Sequence, residues 1–384
     1  MADSDQTPLI PLLRRWRSLP VFAAPILLSS LIIYQLRSDS FDPVPVPVPP
    51  YPLSQAPLKN SRALLGAEFI ASGKLSGPED LAYDSKEGVL YATCSDGWIK
   101  RLTLNNSAVE DWVNTGGRPL GIALAHNRDG VAIVADAYKG LLRIDSSGEI
   151  EVLTVDAGGV KFKLTDGVDV ARDGTVYFTD ASSKYDLPDS EFDMIEGKPN
   201  GRLLSFDPVS RVTSVLLSDL RFPNGVAVSP DQNFLVFCET PLARCRKYYV
   251  RGDKKGTSET FVERLPGWPD NIHYHDGHYI IGFPTEYTRV LKLMMQYPAI
   301  RKVALMMMKY GMKLSAVKNG GVFLVDVEGN AVAHYCDPGM KIITGGIFIG
   351  DYLYFASLHA PHIVRLDVVK HPCVSTAAAA TVGV

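Results

Sequence analysis

Oxygen-bearing side chains stand at matching points of a recurring turn: Glu79 and Asp80 in Gly77-Pro78-Glu79-Asp80, Asp166 in Leu164-Thr165-Asp166-Gly167, Asn224 in Phe222-Pro223-Asn224-Gly225, and Asp270 with Asn271 in Trp268-Pro269-Asp270-Asn271. Carboxylates and amides in such places either bond to backbone within their own turns or, gathered from separate turns, present several hard oxygens in one place. Three imidazoles follow closely, at His273, His275 and His278. Alternation puts His273 and His275 on one strand face, but Asp276-Gly277 reads as a hairpin turn, so solvent-exposed turn histidines are expected rather than zinc ligands. No G-x-S-x-G, H-E-x-x-H, P-loop or G-x-G-x-x-G occurs, which leaves serine hydrolase, zinc protease and nucleotide readings without support.

The elements that must position these residues form a repeat. After each polar turn comes a short alternating strand, a tight turn and a second apolar strand, as in Pro223-Asn224-Gly225-Val226-Ala227-Val228 followed by Phe234-Leu235-Val236-Phe237. Period-two alternation bounded by Gly, Pro, Asn and Asp is the hairpin signal. The same order begins at Gly77, Arg118, Leu164, Trp268 and Thr344, and five of the six copies show a third, basic-plus-apolar strand: Ile99 to Leu102, Leu142 to Asp145, Gly201 to Asp207, Val290 to Leu293 and Ile363 to Asp367. Repeats of roughly 40 to 50 residues built from short strands predict an all-β, six-bladed β-propeller. Because each polar turn leads into the innermost strand of its blade, the polar residues are expected to converge on the central channel.

Hydrophobic content of 46% over 384 residues supports one large core, and a net charge of −3 gives none of the basic field that nucleic-acid binding needs. The five cysteines lack C-x-x-C spacing. Cys238 and Cys245 flank a turn containing Pro241, which leaves open a cross-strand disulfide or two buried thiols.

Arg14, Arg15 and Arg17 precede an uncharged run from Ser18 to Leu36, long enough to span a bilayer. An uncleaved signal anchor is the preferred reading, with the apolar region of a cleaved signal peptide as the alternative. The excess of arginines before the run places residues 1–17 in the cytosol and the main domain in the lumen of the secretory pathway: endoplasmic reticulum, vacuole or cell surface. Residues 37–60 are Pro-rich and predict an extended stalk holding a propeller of residues 61–370 off the membrane, with 371–384 as a tail. Asn105 opens the sequon Asn105-Asn106-Ser107 in an expected exposed turn, a candidate glycan site in a lumenal glycoprotein. Two insertions interrupt the repeat: the acidic stretch Ser182 to Asn200, and Leu293 to Leu314, which is Met-rich, basic and reads as helical. The second is expected to pack on the propeller face, with a lid or a membrane-facing patch as the sharper reading.

The stretch from about 164 to 250, with Leu164-Thr165-Asp166-Gly167-Val168-Asp169-Val170, Phe222-Pro223-Asn224-Gly225-Val226-Ala227 and Cys238-Glu239-Thr240, resembles the signature region of strictosidine synthase-like proteins. Gly77-Pro78-Glu79-Asp80, Trp268-Pro269-Asp270-Asn271-Ile272 and Leu353-Tyr354-Phe355-Ala356-Ser357-Leu358-His359 are similar to members related to adipocyte plasma membrane-associated protein. The resemblance implies a six-bladed propeller. Through the paraoxonases and gluconolactonases of the same superfamily it also implies calcium held by Glu79, Asn224, Asp270 and Asn271 with Asp166 nearby, although Thr165 stands where those relatives have asparagine. Hydrolysis of small esters or lactones, with Asp270 as base, is the activity implied. Two departures bear on chemistry: Thr344 stands where strictosidine synthases proper carry an essential glutamate, and Leu120 replaces the paraoxonase histidine. Condensation of tryptamine with secologanin is therefore not expected, and a non-catalytic binding or scaffold propeller, or another amine-aldehyde condensing synthase, is the alternative.

Overall fold

The computed structural model describes residues 41–51, 53–126, 130–309 and 317–376. The expected cytosolic segment and membrane anchor, residues 1–36, lie outside these, as does the end of the tail. No described helix is long and apolar enough to cross a membrane.

Six sheets of at least four strands radiate around a channel, each beginning with an inner strand that follows one of the polar turns. The inner strands are Leu81–Asp84, Pro119–Leu124, Thr165–Val170, Pro223–Val228, Ile272–His275 and Ile343–Ile349. The ring is closed by exchange of ends: Ala67–Ile70 from the start of the domain forms the outer strand of the last blade, antiparallel to Ile363–Asp367. Apolar residues fill the wedges between blades, as where Ile133 and Leu141 of blade 2 meet Val168, Phe178 and Phe206 of blade 3. Phe178, Phe206, Phe237, Phe283, Phe323 and Phe355 are fully buried in successive wedges, each contributing on the order of 2 kcal/mol by leaving water.

The repeat reading needs two corrections. Val290 to Leu293 is helical, within Arg289–Gln296, and the third strand of blade 5 is Gly321–Asp326. A four-residue apolar and basic run satisfies strand and helix periodicity alike, and Thr288 caps the helix by accepting from the Leu291 N–H at 3.0 Å. The Pro-rich segment, in turn, is extended but does not stand clear of the domain. Phe41, Val46 and Ala56 are buried, the Val44 and Val46 N–H groups bond to Glu196 O and Met295 O, and Leu58–Asn60 adds a parallel strand to blade 5. It is a strap across one end of the propeller.

Beneath the strap lie helices α1 (Ser190–Glu196), α2 (Arg289–Gln296) and α3 (Pro298–Lys309). They come from the two insertions, both of which connect second to third strands and so sit at the end of the channel that holds the polar turns. Arg301 of α3 is fully buried and joins the parts, donating to Ile195 O at 2.5 Å, to Glu196 O at 3.3 Å and to Val44 O at 2.5 Å.

Candidate metal centre in the propeller channel

The polar side chains reach the channel because the backbone bulges beneath them. Strand register shifts between Pro119 and Ile122, Thr165 and Val168, Pro223 and Val226, and Ile343 and Gly345. A bulge re-aims a side chain out of the ladder, and those affected include Asp166, Asn224 and Thr344. The glycines after Asp166 and Asn224 are required by contact with the next turn. A Cβ on Gly167 would sit 2.6 Å from Asn224 O, and one on Gly225 would sit 2.5 Å from Ile272 N and 2.7 Å from Asp270 O.

Threonines stitch one blade to the next. Thr93 Oγ1 donates to Leu120 O at 2.6 Å, Thr179 to Asn224 O at 2.7 Å, Thr240 to Pro269 O at 2.7 Å, and Thr344 closes the circle onto Glu79 O at 2.5 Å. Acids ending the second strands steady the turns from outside: Asp136, Asp180 and Glu239 each accept a backbone N–H of their own blade's turn, from Arg118, Leu164 and Arg221, at 3.1 Å.

The result is a buried oxygen ring. Glu79, Asp166, Asn224, Asp270 and Asn271 are all nearly inaccessible to solvent. Asn271 Nδ2 donates to Glu79 Oε1 at 2.9 Å, yet Glu79 Oε2, Asn224 Oδ1 and Thr165 Oγ1 are buried without a hydrogen-bond partner. Orphaned buried acceptors are costly, about 1–3 kcal/mol each, and three on the turns of blades 1, 3 and 4 point to a positive partner.

Electrostatics agree. Burial first, then Asp270, Asp80 and Asp166, push the Glu79 carboxyl well above its ordinary range, with Arg118 offsetting only part. Burial and Asp80 raise Asp166 to about 7, and burial with Asp166 raises Asp270 strongly despite its bond from Asn224. A hard divalent cation is the partner these oxygens fit. Among the described residues, no three His, Cys, Asp or Glu side chains by themselves form a metal-binding group; a cation held here would also have to draw on amide oxygens such as those of Asn224 and Asn271.

The roles of three neighbours escape a reading of the sequence. Arg118 is buried and donates to Pro119 O at 2.8 Å, a counter-charge for the acids. Asp80 points along the channel, away from the turn face, accepting the Ile122 N–H at 3.0 Å and pairing with His273 Nε2 at 2.7 Å. His273 is therefore no exposed turn residue: it lies on the inner strand, facing the channel, and although burial works against its charge, Asp80 and Asp169 raise its pKa. Beyond it the far end of the channel opens into a cavity of about 500 Å³ lined by Asp169, His126, His275 and Phe348. The period-two pattern did place His273 and His275 on one face; that this face looked inward needed the ring to be closed.

Cys238 and Cys245, directly opposed across neighbouring strands of blade 4, form a disulfide. Asn105 is exposed in a turn between strands.

The "strictosidine synthase" family profile matches residues 166–253, and "strictosidine synthase-like, N-terminal" matches residues 56–102. The Arabidopsis thaliana protein strictosidine synthase-like 6 is 52% identical over 355 residues, covering 90% of this chain and 94% of the relative. The chain belongs to the strictosidine synthase-like family. It is also 32% identical to the adipocyte plasma membrane-associated protein of Gallus gallus over 354 residues, covering 85% of this chain and 84% of that one. Among solved structures, a gluconolactonase from Xanthomonas campestris superposes with a TM-score of 0.58 at 18% identity, covering 84% of this chain and 98% of that one. Regucalcin from Agrobacterium tumefaciens, a calcium-binding protein, gives 0.56 at 14% identity, covering 81% and 95%. These two show that this strictosidine synthase-like chain shares their fold.

Proposed function

We propose that this strictosidine synthase-like propeller is a calcium-dependent hydrolase of small esters or lactones, membrane-anchored and facing the lumen of the secretory pathway. The carrying observation is the buried ring in which Glu79, Asp166, Asn224, Asp270 and Asn271 present oxygens, with two of those oxygens and Thr165 Oγ1 left without a partner. When bound, calcium supplies Lewis-acid polarisation of the substrate carbonyl. The chain's own residues do the rest. Asn224, bonded to Asp270, orients that carboxylate. The Asp270 carboxylate takes a proton from the attacking water as the acyl–oxygen bond breaks, and returns it to the departing alkoxide, so that acid and alcohol leave. The cap of α1 to α3 and the strap cover this end of the channel and exclude bulk water. The Cys238–Cys245 disulfide supports an oxidising compartment.

Amine-aldehyde condensation is the poorer reading. It asks for a positioned base, worth about 10²- to 10⁴-fold in rate, whereas Thr344 is fully buried with its hydroxyl engaged by Glu79 O. Glu286 is no substitute, since it is held by Asn319 at 2.7 Å and Lys318 at 2.9 Å in a loop of the cap.

Hydrolysis of aryl esters and lactones by the purified chain, with calcium or chelator, tests the proposal. Turnover should require calcium and fall at least about 100-fold in Asp270→Asn, with the β-sheet circular dichroism unchanged. Equal rates from both proteins would instead favour a binding propeller.

A further inference from the structure

The cap carries an apolar face that the propeller does not use. Val290 and Leu293 of α2, Tyr297 between the helices, and Ile300 and Val303 of α3 are 43% to 60% exposed. They recur at spacings of three and four, the period of one helical face, while Leu291, Met295, Ala304 and Leu305 fill the opposite face against the domain. No acidic residue occurs between Tyr287 and Val325, and Arg289, Lys292 and Lys302 flank the apolar stripe. Helices of 8 and 12 residues are too short to span a bilayer, but an apolar stripe edged by basic residues is what an interfacial helix presents to lipid.

We infer that the exposed face of the α2–α3 hairpin docks on the surface of an anionic lipid bilayer, laying the capped end of the channel against the membrane. A second copy is the poorer occupant, because a two-fold interface would bring Arg289 and Lys292 face to face with their own copies, with no acidic residue on these helices to offset them. The strap adds an argument of reach. Asp42 is held by Lys198 at 2.8 Å and by Lys302 of α3 at 3.9 Å. Five residues lie between it and Leu36, the end of the uncharged run, and the six steps from one to the other extend at most about 20 Å. The inference rests in this respect on the reading of residues 18–36 as a membrane anchor, which then holds α3 within reach of the lipid that the anchor enters.

The test uses the full chain in phosphatidylcholine vesicles, with and without phosphatidylserine, carrying an environment-sensitive nitrobenzoxadiazole probe on Leu293→Cys or Ile300→Cys. The control is Val209→Cys, 91% exposed in a turn at the opposite end of the blades. Unsubstituted protein, with Cys94 and Cys336 buried and Cys373 part-buried, gives the labelling background. The probes at 293 and 300 should brighten several-fold and be quenched by lipids spin-labelled in their chains, more strongly with phosphatidylserine, while the probe at 209 stays dim. Probes at 293 and 300 that remain as dim as the control, in protein that floats with the vesicles, would overturn the docking and leave the anchor standing. The same brightening in detergent solution, growing with protein concentration, would overturn it in favour of a second copy. Failure to float at all would remove the anchor and the docking together.

Discussion

Asp166 carries the clearest consequence at the scale of a single residue. Its carboxyl titrates near 7 in the metal-free fold, against an ordinary value of 3.8. A carboxyl whose pKa is raised by folding binds an extra proton in the native state, so its contribution is fully present below the unfolded value and is lost as pH rises through the folded one. Relative to Asp166→Asn, which carries no such charge, metal-free wild type should therefore lose melting temperature steadily between about pH 4 and pH 7. Thermal scans of both proteins in chelator across that window read the difference directly; a gap independent of pH would mean that Asp166 is not held in this acidic ring. The identity of the ring residues was legible because each sits in a turn of fixed grammar, Asp166 and Asn224 directly before a glycine and Glu79, Asn224 and Asp270 directly after a proline. The partners Arg118 and His273 were not, since a lone arginine or histidine says nothing of its surroundings until the blades are closed around it.

At the scale of elements, most inner and second strands could be read from short apolar runs and the turn residues that bound them, although strands such as Val176–Asp180 and Pro223–Val228 are buried on both faces. The misread pieces lack that pattern. Val290 to Leu293 belongs to a helix whose buried face, Leu291 and Met295, is set by packing on the strap and blade. The Pro-rich segment has no periodicity, so its sequence carries its extended form and not its docking, which depends on Arg301. That guanidinium is buried among carbonyls, and burial lowers its pKa to about 10. Arg301→Met keeps the volume but leaves Val44 O and Ile195 O short of a donor, at about 1–3 kcal/mol for each buried group. Hydrogen exchange should accelerate at residues 44–46 and 195–197 in this variant, with blade amides such as Phe178 unchanged. Uniform acceleration would show Arg301 supporting the whole fold rather than the strap.

For the whole molecule, the central claim is that the closed six-bladed ring brings oxygens from blades 1, 3, 4 and 5 together to hold a divalent cation. Ring closure through Ala67–Ile70, the bulged turns and the threonine stitches hold four carboxyl groups, Glu79, Asp80, Asp166 and Asp270, around one channel, with the Arg118 guanidinium as a counter-charge and the His273 imidazole paired with Asp80. Such a site should bind calcium with release of protons, because burial and the neighbouring acids raise the Glu79 and Asp270 carboxyls in its absence, and a carboxyl must give up its proton to become a ligand. Isothermal titration of the purified chain with calcium, near neutral pH in two buffers of different ionisation enthalpy, measures binding and proton release together. Saturable binding with proton release, both lost in Glu79→Gln, is the result predicted; a flat titration for wild type, with a melting temperature that neither calcium nor chelator moves, would contradict the account.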